Sequence, residues 1–443
     1  MQLRRLIPLL SLSAFALAAA LPAQSRMPER RFGAVEAYDS PGAAAQAGVG
    51  WERAIYFWPD IQPNGPQEFR ASKLSDGRLA SELRAGREVV GLIIGVPAWA
   101  RDTRGVPHGV TLGYNDPQNT WATFVGRLVG RYKDRIRIWI IWNEPDVTDP
   151  AAPSYTWPGT IEEYAALHKS AYLAAKAANP RAYILLAPMQ HWYTHNAGQA
   201  PYLGRLLDVI KSDPQAEANN FYFDALSLNF YTMPWPNYDL ILQYRGMMNG
   251  RGMDKPMWLV ETNAAPTNDP AWPVANPAFP VTLNQQANYI PQMMSLALAA
   301  GVSRIQIYKM VDTATDRAAN PEPFGLVRRN GSRRPAFQGF ATANRYLAGF
   351  RSAVLKEREG WARVLVDQPT AYTHVLWTLG PQAVTAMVPA QTTTAALVDQ
   401  NGRSRPIQPV NGVYQVELAG SECLEGSCFI GGPVMYLVES IPH

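Results

Sequence analysis

The sequence predicts an α/β fold in which a (β/α)8 TIM barrel precedes a C-terminal antiparallel β-sandwich domain. After Arg31, short apolar or β-branched runs alternate with amphipathic stretches of helical length, a pattern typical of βα units. Eight such runs occur, and eight parallel strands are the number that closes a barrel. Beyond Phe350 the pattern changes to short alternating runs separated by Gly, Pro and Asn, which is typical of antiparallel sheets.

The eight barrel strands are predicted in order along the chain. They lie near residues 32–37, 51–57, 88–96, 136–142, 182–188, 223–230, 256–261 and 303–309. The first βα unit is short, because residues 41–48 hold about two helical turns. Closure of the barrel at the first strand is therefore the part of the fold that the pattern supports least.

Several helices between these strands carry signals at their ends. Thr160-Ile161-Glu162-Glu163 and Thr282-Leu283-Asn284-Gln285 each fit a capping box, in which the Thr hydroxyl and the Glu or Gln side chain satisfy amides of the first turn. Asn179-Pro180 ends the helix that follows the first box. Arg334-Pro335 begins the last barrel helix, which extends to Leu347.

The N-terminus is typical of an exported protein. Residues 1–23 match a secretory signal peptide, because Arg4 and Arg5 precede an apolar run that ends in small residues. An uncleaved N-terminal anchor is the alternative, although the run is short for a bilayer span. We therefore expect a secreted or periplasmic protein with no membrane span in its mature part, which consists of a barrel at residues 24–350 and an accessory sandwich at residues 351–443.

The charge balance gives no sign of a nucleic-acid partner. The formal net charge is +4 over 443 residues, and no run of five or more Lys or Arg follows the N-terminus. Nucleic-acid binding requires a basic patch or stripe, so it is not expected here. No cofactor is predicted, and the sequence carries no signal for an oligomeric state.

The chain contains two cysteines, Cys423 and Cys428. In an exported protein this close pair predicts a small disulfide that fixes a loop. Two free thiols are the alternative. A metal site is a weaker interpretation, because no histidine lies nearby in the sequence to complete a set of ligands.

Two predicted strands end in a glutamate. The apolar run Ile138–Ile141 leads into Trp142-Asn143-Glu144-Pro145, and the later strand Met257–Val260 leads into Glu261. Strand C-termini form the catalytic mouth of a barrel, so the two carboxylates are expected to converge there. Glycoside hydrolysis requires such a pair, and a separation of roughly 5–5.5 Å favours the retaining mechanism. A glutamate just beyond a strand can also be merely solvated.

The motif Trp142-Asn143-Glu144-Pro145, together with Glu261 on the later strand, resembles the glycoside hydrolases of clan A, above all families 39 and 5. The resemblance covers roughly residues 32–347. It implies that Glu144 is the acid/base, that Glu261 is the nucleophile and that the anomeric configuration is retained. It also implies that Asn143 donates a hydrogen bond to the sugar 2-hydroxyl.

Weaker matches to the clan add further candidate residues. Arg53 lies where the clan often has an arginine near the nucleophile, although a structural ion pair below the barrel mouth is the alternative. Tyr231 is expected to hydrogen-bond Glu261, while Asn229 stands where the clan usually has a histidine. Lys309 ends the eighth strand and is expected to contact substrate, to be solvated or to pair with Asp312.

Aromatic side chains near strand ends are candidate platforms for the apolar faces of sugar rings. Trp99 and Trp192 are favoured because both follow strand ends; the others are Trp58, Tyr193 and Trp235. His191 and His195 share a loop but lack a third ligand, so no metal site is predicted. The chain is therefore predicted to be a retaining β-glycoside hydrolase acting on carbohydrate. The alternatives are a transglycosylase with the same site and a non-catalytic carbohydrate-binding barrel.

Overall fold

The computed structural model describes residues 30–70, 74–316, 322–424 and 426–441. The predicted signal peptide, residues 1–23, lies outside the described residues. Within the described ranges, no helix combines the length and the apolar character that crossing a bilayer requires. The described chain forms a closed parallel barrel followed by antiparallel sheets, which confirms the predicted fold class.

Eight parallel strands close the barrel in sequence order, and β1 pairs with β8 through Phe32 and Ile305. The first strand is shorter than predicted, because the chain turns at Glu36, whose φ is 54°. The strands are β1 (Phe32–Ala34), β2 (Trp51–Phe57), β3 (Glu88–Ile94), β4 (Ile138–Ile141), β5 (Tyr183–Met189), β6 (Ala225–Asn229), β7 (Met257–Thr262) and β8 (Val302–Ile307).

Three helices that surround the barrel begin where the sequence predicts, after Thr160, Thr282 and Arg334. Both capping boxes are formed, at Thr160 with Glu163 and at Thr282 with Gln285. The helices are α1 (Pro41–Gln46), α2 (Trp58–Ile61), α3 (Asp76–Arg84), α4 (Thr120–Tyr132), α5 (Ile161–Ala178), α6 (Trp192–Asn196), α7 (Tyr202–Ser212), α8 (Pro234–Asn249), α9 (Leu283–Ala299) and α10 (Pro335–Leu347).

Side chains fill the barrel interior, so it is a packed core and not a pore. The interior cluster comprises Trp51, Val90, Leu92, Ile138, Ile140, Leu185, Ala225, Trp258 and Val260. A second layer lies between the strands and the helices. In that layer Gly91 gives space to the Trp139 ring, because a Cβ at this position would lie 2.3 Å from it. The glycine is therefore required by the close approach of the indole.

The C-terminal domain is built from antiparallel sheets. A six-stranded sheet has the order β14-β13-β16-β11-β10-β9, and β12 pairs with β15 beside it. The predicted domain boundary at residue 350 lies between α10 and β9. The strands are β9 (Ser352–Glu359), β10 (Trp361–Gln368), β11 (Ala371–Thr378), β12 (Val384–Pro389), β13 (Ala395–Asp399), β14 (Ser404–Ile407), β15 (Val413–Leu418) and β16 (Met435–Ser440).

Helix α9 lies between the barrel and the sandwich. Every residue from Gln285 to Leu298 is buried. Polar side chains on α9 bond to the sandwich backbone: Gln292 Nε2 donates to Gly432 O at 2.9 Å, and Asn288 Nδ2 donates to Gly431 O at 3.2 Å. These amides satisfy buried carbonyls that packing alone would leave without a partner.

A disulfide joins Cys423 and Cys428, with their Cα atoms 4.4 Å apart, as the spacing predicts. Glu422, the residue before the first cysteine, lies against the start of α9. Gln285 Nε2 donates to Glu422 O at 2.7 Å, and Thr282 Oγ1 donates to the Glu422 carboxylate at 2.7 Å. Glu422 therefore connects the C-terminal domain, next to the disulfide, with the first turn of α9.

The capping box of α5 provides a test of how local sequence stabilises the barrel. Glu163 N donates to Thr160 Oγ1 at 3.1 Å, and Thr160 N donates to Glu163 at 2.8 Å. Thr160→Ala should lower the free energy of unfolding by about 1 kcal/mol, because one amide of the first turn loses its acceptor. Thr160→Ser keeps that acceptor and is the control in urea unfolding. Equal stabilities of the two variants would contradict the role of the cap.

Candidate active site

Asn143 and Glu144 follow β4 in a constrained backbone. Trp142 has φ 75° and Glu144 has φ 49°, a left-handed conformation that residues other than glycine rarely adopt. The Trp142 indole anchors this segment by donating to Thr156 Oγ1 at 3.2 Å, and that hydroxyl donates to Asn143 O at 2.5 Å. Such strain persists only where the surrounding structure enforces it, and it is common at functional sites.

The Glu144 carboxylate is buried and accepts hydrogen bonds from two neutral amides. Asn229 Nδ2 donates to one oxygen and Gln190 Nε2 donates to the other, each at 2.6 Å. Only 4% of the residue is exposed. Burial, and then the negative charge of Glu261, raise the pKa of Glu144 well above the ordinary value of a glutamate, although the amides partly oppose them. The protonated form is therefore favoured at neutral pH.

Glu261 lies on β7 in a different environment, because its carboxylate faces a cation. Arg53 from β2 forms an ion pair with it, and the Tyr231 hydroxyl donates to its other oxygen. Burial alone would lower the pKa of Arg53, but the Glu261 carboxylate raises it. Burial, together with the same carboxylate, raises the pKa of Tyr231, so Tyr231 stays a neutral donor. These two donors stabilise negative charge on Glu261.

The end of β6 connects the two glutamates. Asn229, the last residue of β6, bonds to Glu144, and Tyr231, two residues later, bonds to Glu261. The backbone pairing of Asn229 with Glu261, and a 3.0 Å bond from Phe230 N to Glu261 O, fix this arrangement. The structure thus brings together five residues that the sequence proposed for one site, namely Arg53, Glu144, Asn229, Tyr231 and Glu261.

Asn143 extends the same hydrogen-bond network. Its side-chain oxygen lies 3.5 Å from Asn229 Nδ2, the amide that also donates to Glu144. The residue is half-buried. Asn143 is therefore close to Glu144, the predicted acid/base.

Two further residues at this site, Asp146 and Gln190, were missed by the sequence reasoning. Asp146 Oδ2 accepts from Gln190 N at 2.9 Å and from His191 N at 2.8 Å, which holds the turn after β5. Burial raises the pKa of Asp146 to about 6, against the opposing effect of these amides. The position of Gln190 directly after β5 was the available signal, because strand C-termini point into the barrel mouth.

Lys309 is buried between two carboxylates. Its Nζ donates to Glu36 at 2.5 Å and to Asp316 at 2.9 Å, and only 4% of the residue is exposed. The predicted alternative of pairing with Asp312 is wrong, because Asp312 accepts from Arg334 Nη1 at 2.6 Å. The alternative of a solvated lysine is also wrong. Burial on its own would lower the pKa of Lys309, but Glu36 raises it, so the ammonium stays charged.

The candidate aromatic platforms differ in their surroundings. Trp99 is half-buried, and its indole donates to Gln62 O at 2.7 Å. Trp192 begins α6, is half-buried and packs edge-on against the His191 ring at 5.5 Å. Trp58 is fully buried, so its expected role as a platform is wrong.

Trp235 packs towards the sandwich domain. Its ring lies 6.0 Å from that of Trp377 and beneath the guanidinium of Arg358. These contacts support a role at the domain interface, where the sequence suggested a sugar platform. Among the described residues, no group of three or more His, Cys, Asp and Glu side chains could hold a metal ion.

Structural comparison shows that this fold is similar to the folds of several solved glycoside hydrolases. A family 39 glycoside hydrolase from the gut symbiont Bacteroides cellulosilyticus WH2 aligns over 94% of this chain and 82% of its own, with a TM-score of 0.67 and 16% identity. A family 30 endoxylanase from Clostridium papyrosolvens C71 aligns over 94% and 97%, with a TM-score of 0.61 and 12% identity. A family 39 enzyme from Xanthomonas axonopodis pv. citri aligns over 96% of both chains, with a TM-score of 0.57 and 13% identity.

The likeness is one of fold, since all three identities lie below 20%. No protein-family model matches the sequence, and no curated protein sequence matches it. Each alignment covers at least 94% of the present chain and therefore extends over both its barrel and its sandwich.

The different surroundings of the two glutamates predict that replacing Glu261 by glutamine lowers the stability of the protein much more than replacing Glu144 does. Glu261→Gln should lower the free energy of unfolding by about 3–5 kcal/mol, because it leaves the buried Arg53 charge without a counter-charge. Glu144→Gln should cost about 1 kcal/mol or less, since the protonated form of Glu144 is favoured at neutral pH and only neutral amides contact it. Urea unfolding at pH 7 measures both. Equal losses of unfolding free energy in the two variants would contradict the stabilising role of the ion pair between Arg53 and Glu261.

Proposed function

We propose that this chain is a secreted retaining β-glycoside hydrolase that cleaves O-glycosidic bonds of oligo- or polysaccharides by double displacement. The observation that carries the proposal is a pair of buried carboxylates at the ends of β4 and β7 in opposite electrostatic environments. Neutral amides contact Glu144, whereas the cation Arg53 contacts Glu261. Two carboxylates with different protonation states at one pH are the requirement of this chemistry.

In the first step, Glu144 donates its proton to the departing glycosidic oxygen. The Glu261 carboxylate attacks the anomeric carbon from the opposite face, and the bond to the leaving group breaks as the glycosyl ester forms. The hydrogen bonds from Asn229 and Gln190 then stabilise the carboxylate that Glu144 becomes. The aglycone leaves with the proton that Glu144 supplied.

In the second step, Glu144 acts as a base. It takes a proton from water, the resulting hydroxyl attacks the anomeric carbon, and Glu261 leaves as a carboxylate stabilised by Arg53 and Tyr231. Two inversions at one carbon restore the starting configuration. The proposed role of Asn143 is to donate to the sugar 2-hydroxyl, next to the Asn229 amide that it contacts.

A non-catalytic carbohydrate-binding barrel explains the same fold less well. Burying the carboxyl groups of Glu144 and Glu261 near each other costs desolvation and mutual repulsion, which sugar binding alone does not require. A transglycosylase would share the glycosyl ester and differ in the acceptor that resolves it. Product analysis with alcohol acceptors separates transfer from hydrolysis.

Azide rescue tests the assigned roles, once a screen of aryl β-glycosides has identified a substrate. Glu261→Ala should lower kcat/KM by more than about 10⁴-fold on every substrate, since no glycosyl ester can form. Glu144→Ala should lose less on substrates whose phenolate leaves without a proton. Added azide should then resolve the ester of Glu144→Ala to a β-glycosyl azide, while Glu261→Ala should yield the α-anomer.

Proton NMR of the azide products decides between the two assignments. Glu162→Ala is the control, because Glu162 is an exposed glutamate on α5 and should keep wild-type activity. An α-azide from Glu144→Ala would show that the roles are reversed. Full activity of both glutamate variants would refute the glycosidase proposal.

The pH profile tests whether Asp146 helps to keep Glu144 protonated. The negative charge of Asp146 raises the pKa of Glu144, so Asp146→Asn should lower that pKa. Because activity is lost as pH rises and Glu144 loses its proton, the alkaline limb of kcat/KM should move to lower pH by at least about half a unit. Asp149→Asn changes an exposed aspartate of the same loop and should leave the limb in place. An unmoved limb in Asp146→Asn would contradict the prediction.

A further inference from the structure

A large apolar side chain is exposed at the mouth of the barrel. Phe57 is the last residue of β2, and 41% of it is exposed. Successive side chains of a strand point to opposite faces of the sheet. Trp51 belongs to the interior cluster, and Ile55 packs against that cluster. Arg53, between them, forms the ion pair with Glu261. Phe57 continues this series, so its side chain is on the face of β2 that points to the barrel axis.

Phe57 lies near the catalytic residues but not among them. Four residues of extended strand put it about 13 Å beyond Arg53. Across the sheet, Phe57 pairs with Ile94 of β3, and Trp142 N donates to the β3 carbonyl one residue earlier at 2.9 Å. Neighbouring strands are about 5 Å apart, so Phe57 is roughly 10 Å from the segment that carries Glu144. These separations exceed the width of one sugar ring, and they fit the ring that is linked to the reacting sugar.

The Phe57 ring rests on the backbone turn that follows β3. Gly95 has φ 87° there, and a Cβ at this position would lie 2.7 Å from Phe57 Cε2 and 2.9 Å from Pro59 Cδ. Glycine is therefore required by the backbone conformation and by the close approach of the ring. The contact with Gly95 limits the movement of the ring and leaves much of it exposed to solvent.

The chain on either side of this contact is anchored by hydrogen bonds to Gln62. Trp58, directly after Phe57, is fully buried, and its Nε1 donates to Gln62 Oε1 at 2.7 Å. Trp99, in the turn after β3, donates to Gln62 O at 2.7 Å and packs edge-on against Trp58. The turns after β2 and β3 are thus joined to each other. A side chain held in this way loses little conformational entropy when a ligand binds to it.

The catalytic groups indicate which part of a substrate would reach Phe57. Gln190, after β5, and Asn229, on β6, hold Glu144 from their side of the mouth. The leaving group of a glycoside must contact Glu144, the proposed proton donor. In the closed barrel β2 lies opposite β6. The glycon, which is the part of the substrate that forms the ester with Glu261, therefore extends towards β2 and Phe57.

We propose that Phe57 is a platform on which the second sugar ring of the glycon stacks. Sugar rings present apolar C–H faces, and covering an exposed aromatic ring with such a face removes apolar surface from water. The inference rests on the proposed glycosidase activity and narrows its substrate class. The preferred substrate carries at least two sugar rings on the side that forms the ester with Glu261, because a glycon of one ring leaves Phe57 uncovered.

The rate gained from a second sugar tests the proposal. The probes are 4-nitrophenyl β-glycosides in pairs: glucoside with cellobioside, xyloside with xylobioside and mannoside with mannobioside. Release of nitrophenolate reports cleavage with every sugar on the glycon side. On a pair that is cleaved, kcat/KM should be higher for the disaccharide by on the order of tenfold. Phe57→Leu, which keeps an apolar side chain without a ring, should lower this ratio at least about fivefold.

Two variants serve as controls for the loss of the ring. Phe57→Tyr keeps an aromatic ring and should keep most of the ratio. Leu242→Ala changes an exposed apolar residue of α8 and should keep the ratio of the wild type. A wild-type ratio near one, or an equal ratio in Phe57→Leu, would overturn the proposal.

Binding measurements separate this proposal from the proposed activity. Cellotetraose, xylotetraose and mannotetraose are titrated calorimetrically into Glu144→Gln, which should cleave them slowly, and into the same protein carrying Phe57→Leu. At least one tetrasaccharide should bind, and Phe57→Leu should raise its Kd at least about fivefold. Weaker binding without cleavage of any glycoside by the wild type would refute the activity and support the platform. Cleavage with equal binding would refute the platform alone, and absence of both binding and cleavage would refute both proposals.

Discussion

The buried ion pair between Arg53 and Glu261 is the interaction on which the arrangement of the barrel mouth depends. It joins β2 to β7 across the strand ends, in a place where either charge alone would pay a large desolvation cost. The pair therefore holds the nucleophile candidate in one orientation. The positive charge of Arg53 thus lies next to Glu261. The side chains that donate to Glu144 are neutral amides. The two glutamates therefore differ in their electrostatic surroundings.

The end of β6 and the turn after β5 maintain these different surroundings of the two glutamates. Asn229 and Tyr231 extend from the end of β6 to different glutamates, so a single strand fixes both. Asp146 holds the turn after β5 that carries Gln190, and Gln190 holds Glu144. Each polar group at the mouth thus orients another, and few of them are free to reorient when a substrate enters. Preorganised dipoles of this kind stabilise developing charge without a reorganisation cost.

Features with local or periodic signals could be predicted from the sequence. The strand-end glutamates, Arg53 and Tyr231 follow from strand periodicity combined with the clan resemblance, and the helix caps follow from four-residue patterns. Partners that meet only in the folded chain could not be predicted. Lys309 pairs with Glu36 from the opposite end of the barrel sequence.

The position of α9 affects how this protein could have acquired its second domain. An appended binding module usually hangs from a linker and can be lost or exchanged without harm to its neighbour. Here a barrel helix is covered on its outer side by the sandwich, and its amides are satisfied by Gly431 and Gly432. A gene shortened at the domain boundary would encode a barrel in which α9 exposes apolar side chains. The amides of Asn288 and Gln292 would also lose their acceptors. The two domains are therefore expected to be inherited together and to fold as one unit.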